Sequence, residues 1–197
     1  MAALLSLFLL QGPGEGWLVA QAPPREIKRV YWELFQTTEV WVLLLPGGPD
    51  GKPSRVSLVF QAFFPGRAKR NPSSGLPEWP KGEPEKITVR VQPFPLTITN
   101  ELSLRLVVDD EVFDLGASCD PLRIGPPCQL LFPCPECAAN GASVELQPAF
   151  LPRLAKARVV TGTAMGIPIL LTSEDLRAVS EFSVRIRQPQ RSRSGGR

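Results

Sequence analysis

Apolar side chains recur at every second position in several short stretches of the chain, the pattern of strands with one face buried. Leu102, Leu104, Leu106 and Val108 form the cleanest run, and Ile87, Val89 and Val91 alternate with Thr88, Arg90 and Gln92. Val40 to Leu45 is rich in strand formers and ends at the turn cluster Pro46-Gly47-Gly48-Pro49-Asp50-Gly51. Val56, Leu58, Phe60 and Ala62 alternate beyond it, so the pattern predicts a β-hairpin. Asp109-Asp110 predicts a second, tight hairpin that returns through Val112 to Leu115. Val144 and Leu146 suggest a further short strand, and Val159 to Thr163 and Ile167 to Leu171 read as strands joined at Met165-Gly166. Ile27, Val30, Tyr31, Leu34 and Phe35 fit a helical stripe, while Val30, Trp32 and Leu34 also alternate, so this segment fits both periods.

Two segments favour helix. Phe150 to Ala157 suits one or two turns. The clearer helix begins after Thr172 or Ser173 as cap, carries Glu174 and Asp175 in its first turn, and sets Leu176, Val179 and Phe182 on one face. Roughly seven or eight strands at spacings of about 10 to 15 residues, with turn signals between them, predict a mainly β fold. The expected architecture is an immunoglobulin-like antiparallel β-sandwich with a short C-terminal helix and a cysteine-bearing loop.

Composition supports one packed core: 43% of residues are hydrophobic and 21% charged. With 16 glycines and 22 prolines, the chain favours many turns. The formal charge of +3 hints at a polyanionic partner, but residues 23 to 184 carry 17 basic and 18 acidic side chains. The excess sits mainly in the tail 188–197, which has no apolar residue to bury and is expected to be disordered, without a nucleic-acid role. Three parts are expected: a signal peptide at 1–22, a single β-sandwich domain at 23–187 and the basic tail at 188–197.

The signal-peptide expectation rests on Ala2 to Leu10, apolar throughout except Ser6, followed by the small-x-small string Ala20-Gln21-Ala22. No basic residue precedes the apolar run, and Pro23 would follow the cut. The run is too short for a transmembrane helix and is broken at once by Gly12, Pro13 and Gly14. A periplasmic or secreted location follows, with no transmembrane segment.

The chain contains no histidine, which excludes Ser-His-Asp and Cys-His catalysis and histidine metal sites. Nucleotide loops, nucleophile elbows and zinc-protease motifs are also missing from the sequence. Chemistry concentrates in Cys119, Cys128, Cys134 and Cys137. In an exported chain these four predict two structural disulfides, of undetermined pairing. The alternatives are a four-thiolate zinc site, for which Cys134 and Cys137 supply only one usual pair, and a redox-active Cys134–Cys137 motif. No cofactor is expected.

Asp109, Asp110, Glu111 and Asp114 form an acidic cluster that a hairpin turn explains without metal or catalysis. Trp79, held between Pro77 and Pro80, is a possible ligand platform for a sugar or peptide, or else covers the sandwich edge. Trp32 and Trp41 are expected in the core. Arg67, Lys69 and Arg70 read as a solvated basic loop. These features point to a non-enzymatic binding or assembly role, with a protein or glycan partner.

Overall fold

The computed structural model describes residues 24–67, 69, 72–73, 78–80, 82–93, 103–116 and 142–187. The chain is mainly β, with two antiparallel sheets of five and four strands and two helices in a sandwich-like arrangement. The first sheet contains β1 (Ile27–Trp32), β2 (Thr37–Leu44), β3 (Val56–Pro65), β4 (Lys86–Pro93) and β7 (Ala142–Glu145), in that spatial order. The second has the order β6-β5-β8-β9, built from β5 (Leu104–Val108), β6 (Glu111–Asp114), β8 (Val160–Ala164) and β9 (Ile167–Leu171). Helix α1 spans Phe150–Lys156 and α2 spans Ser173–Arg187.

Register explains which side chains meet. Val42 faces Phe60 across β2 and β3, Phe60 faces Val89, and Val89 faces Val144, so one row of apolar side chains crosses four strands. With Val40, Leu44, Leu58, Ala62 and Val91, this face joins Leu104, Leu106 and Val160 of the second sheet in one buried core. Helix α2 lies on β2 and reaches β9, and Phe182 sets its ring edge-on to Phe60 with centroids 6.4 Å apart. On α2, the buried positions Leu176, Val179, Phe182 and Ile186 follow the helical period, as its apolar stripe predicts.

The segment with two periodicities is a strand. Arg29 pairs with Val40 and Tyr31 with Thr38, because β2 offers β1 a row of backbone N–H and C=O groups that a helix at this position would leave unpaired. Both two-residue hairpins form where expected. Asp109 and Asp110 take φ of 45° and 73°, and Met165 and Gly166 take 53° and 73°, the two left-handed residues that such a turn requires. Two prolines sit where their missing N–H does least harm: Pro152 in the first turn of α1, and Pro168 on the edge strand β9.

The other face of the first sheet departs from expectation. Trp41 is buried there with Leu43 and Val59, in a small cluster apart from the main core. Trp32 is only half-buried, and its indole Nε1 donates to Glu39 Oε2 at 2.6 Å. Gln61 Nε2 donates to Glu39 Oε1 at 2.5 Å, and Thr88 Oγ1 to Gln61 Oε1 at 3.4 Å. Because Glu39, Gln61 and Thr88 are all buried, this polar ladder ties four strands together and resists any slip in register.

Candidate functional site

Trp79 anchors the most distinctive surface among the described residues. It is half-buried and packs against the edge of the main core, between β1 and α2. The Arg29 guanidinium, from β1, lies 4.7 Å from the centroid of its ring, and that of Arg185, from the last turn of α2, lies 4.9 Å away. Both placements follow from local sequence. Residues 27, 29 and 31 of an extended β1 share the face that β2 turns to the core, and β1 is the outermost strand, so a long cation at position 29 can hang over the sheet edge. On α2, Arg185 lies one turn beyond Glu181, which accepts from its Nε at 3.1 Å and its Nη2 at 2.6 Å.

The electrostatics are uneven. Arg185 has a carboxylate partner, whereas Arg29 makes no ion pair among the described residues. Burial, and after it the neighbouring Arg185 charge, holds the Arg29 guanidinium below the usual arginine range. Each arginine–indole contact is worth about 1 kcal/mol. A guanidinium stacked on an aromatic ring keeps its N–H donors at its own edge, pointing away from the ring, where they suit a carboxylate, sulfate or phosphate. The ring therefore does not present two bare faces to a sugar. What the surface offers is a pair of cations positioned by the indole.

At the opposite end of α2, Arg25 donates from Nε to Asp175 Oδ1 at 2.9 Å and pairs through Nη1 with Glu174 at 2.8 Å. The Asp175 carboxylate is fully buried and also accepts from the backbone N–H and Oγ1 of Thr172, at 2.9 and 2.8 Å. Asp175 N–H donates to Thr172 Oγ1 at 3.2 Å in return, so Thr172 is the cap. The residue two positions before β1 is thus tied to the first turn of α2, while Arg29 and the last turn of α2 meet only through the Trp79 ring.

The acidic cluster is dispersed. Asp109 accepts the backbone N–H groups of Arg158 and Val159 at 2.9 and 3.1 Å, Glu111 pairs with Arg153, and Asp114 pairs with Arg105 at 3.3 Å. Among the described residues no group of three or more carboxylates, cysteines or histidines is placed to hold a metal. The backbone N–H of Val159, and next that of Arg158, holds the Asp109 carboxyl below the usual carboxylate range. A depressed folded pKa gives stability that is complete above the unfolded value of about 3.9 and is lost as pH falls through the folded one. Asp109→Asn should therefore be less stable at neutral pH and lose less stability on acidification below about pH 4. Chemical denaturation at stepped pH tests this, and parallel losses in the two proteins would refute it.

Of the remaining expected features, Arg67 places its guanidinium over the Tyr31 ring at 5.2 Å, and Lys69 is exposed. Arg70, Cys119, Cys128, Cys134, Cys137, the segment 1–22 and the tail 188–197 lie outside the described residues. No helix among the described residues is long and apolar enough to cross a membrane. Sequence reasoning picked out Trp79 but missed Arg29 and Arg185. The usable signal was a lone cation at the middle of Ile27-x-Arg29-x-Tyr31, visible once that segment is taken as a strand. Comparison with protein-family models, curated proteins and solved structures finds no match to this chain.

Proposed function

We propose that the chain is an exported binding module without enzymatic activity, which holds an anionic group of a glycan or protein partner against Arg29 and Arg185. The observation that carries this reading is the Arg29–Trp79–Arg185 arrangement, in which a partly desolvated cation lacks an ion-pair partner among the described residues. A desolvated cation gains most from an incoming anion, since part of its hydration is already lost. Export is supported by the apolar run at Ala2 to Leu10 and the Ala20-Gln21-Ala22 string. The expected immunoglobulin-like β-sandwich is supported as far as two antiparallel sheets in a sandwich-like arrangement. In connectivity, β1 to β4 form a meander within one sheet, whereas immunoglobulin domains distribute successive strands between sheets.

The test is a titration of the full chain, followed by tryptophan emission, with an oligogalacturonate, a poly-glutamate peptide and a neutral dextran. Saturable change is expected with at least one anionic probe, weakening as salt rises, and none with dextran. Arg29→Gln should weaken that binding by about tenfold or more, the loss of one charge-assisted hydrogen bond. Absence of saturation with both anionic probes, or equal binding by Arg29→Gln and wild type, would refute the reading.

A further inference from the structure

The turn that joins β1 to β2, Glu33 to Gln36, exposes two large apolar side chains: Leu34 is 87% exposed and Phe35 58%. Its backbone is firmly held. Gln36, at φ 49°, donates from its backbone N–H and from Nε2 to Glu33 O, at 3.3 and 2.8 Å. Thr37 Oγ1 donates to Phe35 O at 2.9 Å, and Tyr31 OH donates to Gln36 Oε1 at 2.8 Å. The neighbouring loop braces the turn from one side, through the Gly66 N–H to Gln36 O at 2.7 Å and Thr38 Oγ1 to Gly66 O at 2.9 Å. None of these bonds uses the side chain of Leu34 or Phe35, so turn geometry does not account for two adjacent apolar residues at this point.

Behind the tip stand Tyr31 and Trp32, both half-buried, with the exposed Arg67 placing its guanidinium over the Tyr31 ring. Glu33 is the acidic residue of the turn itself. Lys28 is already engaged by Glu26. From the end inward, the hairpin thus reads as apolar knob, aromatic pair, and a cation beside them. This is the order in which a bilayer meets a shallowly inserted element: acyl boundary, headgroup level, anionic surface.

We infer that the β1–β2 hairpin end seats the protein on an anionic lipid surface, with Leu34 and Phe35 inserted and Arg67 at the headgroups. The shape favours lipid over a second protein. A tip of two exposed apolar side chains falls far short of the roughly 800 Å² per partner of a standard protein interface. Shallow insertion needs only a few apolar side chains together with cations. The inference is independent of the Trp79 surface, and either one can fail alone.

Full-length protein floated with vesicles tests it, using mixed phosphatidylcholine and phosphatidylglycerol against phosphatidylcholine alone. Wild type should partition onto the anionic vesicles and be partly released by added salt. The double variant Leu34→Ser, Phe35→Ser should bind at least about tenfold more weakly with an unchanged melting temperature, and Arg67→Gln about fivefold more weakly. Arg105→Gln, which removes a cation paired with Asp114 on the second sheet, should bind vesicles as wild type does. Equal partition of the double variant, or no partition of wild type onto anionic vesicles, would overturn the inference. So would self-association of wild type, abolished in the double variant, which would assign the tip to a second copy of the chain.

Discussion

Arg25→Ala is expected to destabilise the protein by about 3 kcal/mol, measured as the shift in a urea or guanidinium unfolding curve. The substitution removes one charge of a pair whose other member, Asp175, has no exposure to solvent. Two hydrogen bonds from Thr172 remain on the carboxylate, which places the loss at the lower end of the range for a broken buried pair. The diagnostic step is a second substitution. Adding Asp175→Asn to Arg25→Ala removes the orphaned charge while keeping the shape and part of the cap, so the double variant should regain some of the lost stability. If the two losses simply add, the carboxylate is not isolated in the way the geometry implies.

Gly162→Ala should be at least as damaging, at about 3 kcal/mol or more. Gly162 lies in β8 opposite Leu106, and β8 is flanked by β5 and β9. A methyl group built there falls 2.0 Å from the carbonyl oxygen of Arg105 and 3.0 Å from Cα of Leu106. Both are backbone atoms, so no side chain can swing aside, and β5 itself must move away from β8. Amide exchange should then accelerate in β5 and β8 while β2 and β3 stay protected. A variant that unfolds within about 0.5 kcal/mol of wild type would show that the second sheet absorbs the displacement.

The elements that could be read in the sequence are those fixed by short-range chemistry. The β2–β3 hairpin follows from alternation on both sides of a Pro-Gly cluster, and the β5–β6 hairpin from Asp109-Asp110, with the left-handed pair in place. The start of α2 followed from Thr172 and the acids after it. What escaped was set by distant partners. Residues 27 to 35 satisfy two periodicities, and only the pairing with β2 selects the strand. Asp175 looked like a residue that favours a helix start, yet its burial and its arginine come from the other end of the chain. Trp79 was recognisable as a candidate, but the two guanidinium groups beside it come from positions far apart in sequence that only the folded sheet edge brings together. Trp32 was expected inside and instead reaches Glu39 on the sheet face away from the core, because adjacent strand residues point to opposite sides.

The tie between Arg25, just ahead of β1, and Asp175 of α2 bears on the order of events in folding. Arg25 and Asp175 are separated by 150 positions, so the first described strand and the last described helix complete each other. Until α2 arrives, the side of Phe60 that receives Phe182 is open, and β1 holds only its edge bonds to β2. Contacts of such long sequence separation form late and slow the overall reaction. A chain that has not yet formed α2 therefore lacks the partner of Arg25 and the ring that packs edge-on to Phe60.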